Sequence, residues 1–201
     1  MDSKLMLSQH EMEMVHNAEW ILTKNLIVKK AQRLLEQVQQ NISDYVKQTA
    51  EYFPREVLAI SPKISKGENY RGLPWLILDY PRYFEKENIF AIRTMFWWGN
   101  FFSTTLHLAG NYKVNYHRSL GGAYKELAEN NFRICVNDDQ WQHHYGEDNY
   151  LPVVNFSSQE FNAQIERKSF VKLSRELPFS QWEKAVPLLS ERFSQLSEWL
   201  R

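Results

Sequence analysis

The sequence is most informative at first through what it lacks. It holds a single cysteine, Cys135, set in the apolar run FRICV, so no disulfide can form within the chain and no oxidising compartment is indicated. Neither charge dominates: 24 Lys and Arg stand against 24 Asp and Glu. A uniformly basic surface is therefore excluded, and no nucleic-acid partner is expected. The longest apolar stretch, FAIRTMFWWGNFF, is interrupted by Arg93 and by the turn residues Gly99 and Asn100, so no membrane association is expected. The opening MDSKLMLSQHEMEM has no apolar segment of the secretory kind. The expectation is a soluble, cytoplasmic protein.

Familiar chemical motifs are missing as well. There is no HExxH and no Cys/His spacing for zinc, and no Gly-x-Ser-x-Gly for a serine nucleophile. The segment GENYRG lacks the spacing and the Lys-Ser/Thr ending of a phosphate loop. Cys135 sits where a buried structural thiol would sit, away from activating charge. These residues identify no cofactor and single out no metal ligand or catalytic group.

What the chain does contain is an aromatic-rich set of strand and helix signals, with 14% Phe, Trp and Tyr. Ser8 and Glu11 form a capping box, followed by Met14, Val15, Ala18, Ile21 and Leu22 on one helical face. From about Asn25 to Ala50 the positions Ile27, Ala31, Leu34, Val38, Ile42 and Tyr45 make a second apolar stripe. A helix of that length spans ~40 Å at ~1.5 Å per residue. Such a pair either docks across a sheet, the commoner arrangement, or forms a dimer interface. Pro54 ends the helical region, and residues 61–72 have loop composition.

Strands are expected at about Leu73–Tyr80, on both sides of Gly99-Asn100, at FRICV paired with QWQHHY, and at FVKLSREL. Helices are expected from Ser119 to about Asn130, after the Ser157/Glu160 capping box, and after Ser180 and Glu183 with a kink at Pro187. The fold class is α+β: long N-terminal helices, a mainly antiparallel sheet of about five or six strands, and a C-terminal helix packed on the sheet. A single domain over 1–201 is expected, with a helical segment at 1–53 and the sheet with its helices at 54–201.

The Gly-first pair at Gly99-Asn100 suits a two-residue type II′ turn. That register sets Trp98 opposite Phe101, Phe96 opposite Ser103, Thr94 opposite Thr105 and Ile92 opposite His107 on one face, with Arg93 on the other. Both faces are then largely apolar, which calls for two covering layers, a cavity or a partner. Candidate ligand-binding residues are Asp79, Tyr80, Arg82, Arg93, Thr94, Thr105, His107 and His143. An unpaired Arg93 would be costly if buried, so it needs an anion or a carboxylate.

The stretch DDQWQHHYGED, residues 138–148, concentrates four carboxylates and two histidines. Read as a strand, Gln140–Tyr145 points His143 with Trp141 and Tyr145, and His144 with the glutamines, so the histidines diverge. Charge is zoned: residues 61–120 carry eight basic and four acidic side chains, residues 121–160 two and seven.

RGLPWLILDYPRYF followed by FAIRTMFWWGNFFSTTLHLAG resembles conserved bacterial proteins, small cytosolic chains without an assigned activity. The resemblance implies a bacterial cytosolic origin and brings no site residues. The leading functional expectation is a small-molecule-binding or protein-interaction module with an aromatic-rich sheet surface or cavity. The alternative is a metal-assisted hydrolase using His107, His117, His143 or His144 with Asp138 or Asp139. Expected partners are a small-molecule ligand, another protein or a second copy of the chain.

Overall fold

The computed structural model describes residues 5–201; the opening MDSK, part of the segment read as free of an export signal, lies outside them. The helices α1 (Gln9–His16) and α2 (Ala18–Gln48) lead into the short α3 (Arg55–Leu58). Four strands follow, β1 (Lys63–Tyr70), β2 (Leu73–Phe84), β3 (Ile89–Trp97) and β4 (Phe101–Ala109), then α4 (Asn111–Gly122) and α5 (Tyr124–Glu129). The chain continues through β5 (Arg133–Cys135), β6 (Tyr150–Pro152), α6 (Ser158–Arg167), β7 (Phe170–Pro178) and α7 (Ala185–Glu198).

The α+β class is correct, but the sheet has seven strands rather than five or six, in the order β1-β2-β3-β4-β7-β5-β6 with every pair antiparallel. Among the described residues no helix is long and apolar enough to cross a membrane.

Helix α1 begins at the expected capping box, with Ser8 Oγ accepting from the Glu11 N–H. The two N-terminal helices divide at Asn17, not near Asn25, because the Asn17 side chain caps Trp20 N–H and starts a new helix. In α2 the stripe Ala31, Leu34, Leu35, Val38, Ile42 and Val46 is buried against β2 and α7, with Tyr45 edge-on to Phe193 at 5.8 Å. Pro187 causes no kink. It falls in the first turn of α7, where its missing N–H would have had no helical partner.

Two strand expectations fail. Residues 63–70 form β1 despite their polar, Gly-containing composition, because an edge strand needs only backbone pairing to β2 and can leave its side chains wet. The expected strand Gln140–Tyr145 does not form. β5 already has β7 on one side and β6 on the other, so no free edge remains for it. Residues 136–149 instead run as an irregular segment.

The central hairpin forms where expected but in a different register. Its turn has three residues, Trp98, Gly99 and Asn100, with Asn100 N–H donating to Trp97 C=O at 3.1 Å and Gly99 at φ +72°. Gly99 thus occupies the third position of the four-residue β-turn from Trp97 to Asn100, where a positive φ favours glycine. The extra turn residue pairs Arg93 with Thr105 and Thr94 with Thr104. One step of register moves a side chain to the other face of its partner's ladder, so Arg93, Thr105 and His107 share a face and Thr94 lies opposite.

The main core occupies the face that carries Leu76, Leu78, Phe90, Ile92, Phe96, Phe102, Leu106 and Leu173, under α2, α4, α6 and α7. The other face carries Trp75, Ile77, Asp79, Arg93, Met95, Thr105, His107, Lys172 and Ser174, and residues 136–149 cover it.

Candidate functional site

The second face of the sheet supplies the site by strand alternation. Trp75, Ile77 and Asp79 of β2 stand beside Trp97, Met95 and Arg93 of β3. Gly67 of β1 lies opposite Trp75, and a Cβ there would come within 2.6 Å of the indole. Glycine therefore lets the Trp75 ring lie flat over the edge strand.

Arg93 and Asp79 form a bidentate pair. Nε donates to Oδ1 at 2.7 Å and Nη2 to Oδ2 at 3.1 Å, and both side chains are buried. This is the carboxylate partner that a buried Arg93 requires. The third guanidinium nitrogen, Nη1, lies 3.3 Å from His143 Nε2. A guanidinium can only donate, so His143 Nε2 accepts and the ring proton sits on Nδ1. Burial, then the positive Arg93 and Lys172, hold the His143 pKa well below its usual range, and the ring is neutral near pH 7.

Tyr70 fastens the covering segment to the sheet. Its hydroxyl accepts from the His143 N–H at 2.7 Å and the His144 N–H at 3.1 Å, and donates to Gln142 Oε1 at 3.3 Å. Its ring packs edge-on against Trp97 at 5.1 Å. Together Asn69, Tyr70, Trp75, Arg93, Trp141 and His143, with Ile77 and Met95 at the floor, line a cleft of about 310 Å3.

Further along the same face, His107 Nε2 donates to Gln140 Oε1 at 2.9 Å, and the Trp141 ring sits 5.6 Å from the imidazole. Burial, reinforced by the charges of Lys172 and Arg93, lowers the His107 pKa to about 3, against the opposing Gln140 bond. Lys172 is also buried. Its Nζ donates to Gln142 C=O and stands 5.2 Å from the centre of the Tyr150 ring. Burial brings its pKa down to about 8, with Cys135 opposing and Arg93 adding to the fall. Thr105 and Tyr145 hydroxyls meet Ser174 Oγ at 2.6 and 2.5 Å, completing a polar layer between sheet and cover.

Of the candidate residues, Arg93 and His143 line the cleft, Asp79 holds Arg93 there, and Thr105 and His107 lie on the same face beside it. Three do not converge. The β2 ladder gains one residue between Asp79 and Arg82 relative to β3, a bulge that re-aims the neighbouring side chains. Tyr80, next to Asp79, points to the opposite side by strand alternation and packs against the helix-side core, and Arg82, beyond the bulge, is held by a 2.9 Å bond from Nε to Ser61 C=O. Thr94 is buried on the helix side of the sheet.

The histidines and carboxylates considered for metal chemistry are dispersed. His117 Nδ1 contacts its own helix at Val114 C=O. His144 is buried, with Nδ1 accepting from Gly146 N–H at 3.2 Å. Asp138 pairs with Lys168 at 2.6 Å, which lowers its pKa. Asp139 closes a turn by accepting from Trp141 N–H at 2.9 Å and Gln142 Nε2 at 2.8 Å. Among the described residues no three His, Cys, Asp or Glu side chains gather as a metal site would need.

Sequence reasoning missed Tyr70, Trp75, Trp141 and Lys172. For Trp75 and Lys172 the signal was present as alternation, Trp75-Ile77-Asp79 and Lys172-Ser174-Glu176, each opposite in parity to the apolar core residues. Tyr70 carried no such signal, since its strand read as a loop. The chain matches no protein-family model, no curated protein and no solved structure, so the geometry alone carries the functional reading.

Proposed function

We propose that the protein is a small-molecule-binding module whose ligand enters the cleft between β1–β3 and the segment 136–149. The observation that carries this reading is the placement of Arg93. Its guanidinium is oriented by Asp79 and His143 in a cleft whose other lining residues are, apart from Asn69, aromatic or apolar. Mostly apolar walls with a few oriented polar groups are the usual composition of a ligand pocket. The neutral His143 ring supports Arg93 without adding charge, and Trp141, 47% exposed at the mouth, offers a face on which a planar ring can stack.

The chemistry suits a flat, partly apolar molecule with a carboxylate or carbonyl that accepts a hydrogen bond from Arg93. Calorimetric titration with aromatic carboxylates and their uncharged amides tests it. Saturable binding is expected, weakened about tenfold or more by Trp141→Ala. If no aromatic acid or amide binds, or if Trp141→Ala leaves affinity untouched, the cleft is not the binding site.

A further inference from the structure

Most of the exposed large apolar side chains lie elsewhere, on the N-terminal arm. In α2 the buried stripe begins only at Ala31, and α1 has no buried residue. Ahead of that point Met12, Val15, Trp20, Ile21, Leu22 and Leu26 are all exposed, Leu22 by 60% and Leu26 by 58%. Scattered apolar residues need no explanation, whereas Leu22 and Leu26, one turn apart on the side of α2 away from the buried stripe, adjoin as a patch of the kind that marks an interaction surface.

Charge along the arm is segregated. Residues 5–22 include Glu11, Glu13 and Glu19 with no Lys or Arg, and residues 24–33 include Lys24, Lys29, Lys30 and Arg33 with no Asp or Glu. Lys24 is already engaged by Glu68 of β1, which fixes the arm where it leaves the sheet. Within α2, Glu19, Lys29 and Lys30 share a face with the leucines. Leu22 and Leu26 are one helical turn apart, Glu19 lies a turn before them, and Lys29 and Lys30 lie a turn after.

That arrangement is complementary to itself when reversed. Two α2 helices laid antiparallel about a twofold axis near residue 24 place Leu22 against Leu26 of the second copy, and Glu19 against its Lys29 and Lys30. A parallel pairing would set Glu19 against Glu19 and lysine against lysine. An isologous contact of the first kind closes after two chains. An anionic membrane surface is disfavoured as the occupant, since residues 5–22 offer it acidic side chains and no Lys or Arg.

We infer that the exposed arm is a homodimer interface, in which the α2 helices of two copies pack antiparallel through Leu22 and Leu26, with Glu19 paired to Lys29 and Lys30. The contact is independent of any ligand in the cleft. Sedimentation velocity on the full chain, diluted through micromolar concentrations, reads it directly. Wild-type protein is expected at twice its 24.0 kDa chain mass, and L22E/L26E at the mass of one chain with unchanged far-ultraviolet circular dichroism, because both leucines are exposed.

Charge exchange gives a second readout that a general loss of solubility would not produce. E19K and K29E/K30E are each expected to dimerise roughly tenfold more weakly than wild type. Mixing the two restores a dimer containing one of each, since every opposed pair then has opposite signs. A wild-type chain that stays monomeric overturns the inference, whether it remains alone or co-sediments with vesicles of anionic phospholipid. So does a dimer that survives L22E/L26E, or a mixture that fails to recover affinity.

Discussion

The two faces of one sheet are closed in opposite ways. The same strands contribute Leu78 to one side and Asp79 to the other, Ile92 to one and Arg93 to the other, Leu173 to one and Lys172 to the other. On the first side helices cover apolar side chains. On the second an irregular segment covers charged and hydroxylated ones, and residues 139–143 of that segment are tied down by specific hydrogen bonds. The helix-side face is held by area removed from water, which tolerates small adjustments. The loop-side face is held by directional bonds among buried polar groups, which are costly when half-satisfied. The second side carries the cleft with Arg93 in its lining, whereas the pocket on the first, between Ile27, Phe96, Trp98, Phe179 and Trp182, is walled by apolar side chains.

The sharpest test compares neighbours on β2. Asp79→Ala leaves Arg93 buried without its carboxylate and is expected to destabilise the fold by about 3–5 kcal/mol. Leu78→Ala, on the helix side, opens a cavity worth about 2–5 kcal/mol. Urea denaturation measures both, and the faces differ in the rescue: Asp79→Leu with Arg93→Met should recover most of the loss, since it removes both charges together. A cost for Asp79→Ala below about 1 kcal/mol would mean that the pair behaves as a solvated surface bridge.

Acid should separate the faces next. The folded pKa of His107, about 3, lies below its ordinary 6.5, and His143 shifts the same way. Above pH 6.5 both rings are neutral whether folded or unfolded, and their contribution is fully present. As pH falls from 6.5 toward 3, the unfolded chain takes up protons that the folded chain refuses, and stability declines by up to about 1.4 kcal/mol per pH unit for each such histidine. Once the intrinsic slowing of amide exchange in acid is divided out, protection in residues 136–149 is expected to fall ahead of that in β3 and β4 as pH drops. His107→Gln should flatten that slope, and an equal loss of protection across the sheet would contradict the picture.

The smallest expected effect is at the mouth of the cleft. Trp141 is half exposed, so Trp141→Ala should change stability by no more than about 1 kcal/mol, with thermal melting as the measurement. A larger loss would make Trp141 part of the cover's anchoring instead of a surface for a ligand.

Much of the architecture was legible because local rules and burial agreed. The capping boxes at Ser8 and Ser157 started α1 and α6 where they were read, and FVKLSREL became β7. The hairpin was legible in place but not in register, since a turn of two residues and one of three share the same Gly99-Asn100 signal. That single residue decided which face received Arg93. The strand at 63–70 was illegible because its stability comes from pairing with β2, and QWQHHY misled because strand propensity cannot act without a free edge.

By itself, then, the sequence determined the helical stripe of α2, the alternation of the central strands, the α+β class and the need for a partner to Arg93, all consequences of periodicity and the cost of buried charge. Only the tertiary structure decided that Asp79 is that partner, that His143 and Trp141 reach the same cleft from a loop far along the chain, and that the first turns of α2 run past the sheet. Register, strand order and where a helix overshoots its support are set by contacts between distant segments, and a periodic pattern contains no information about where those contacts begin.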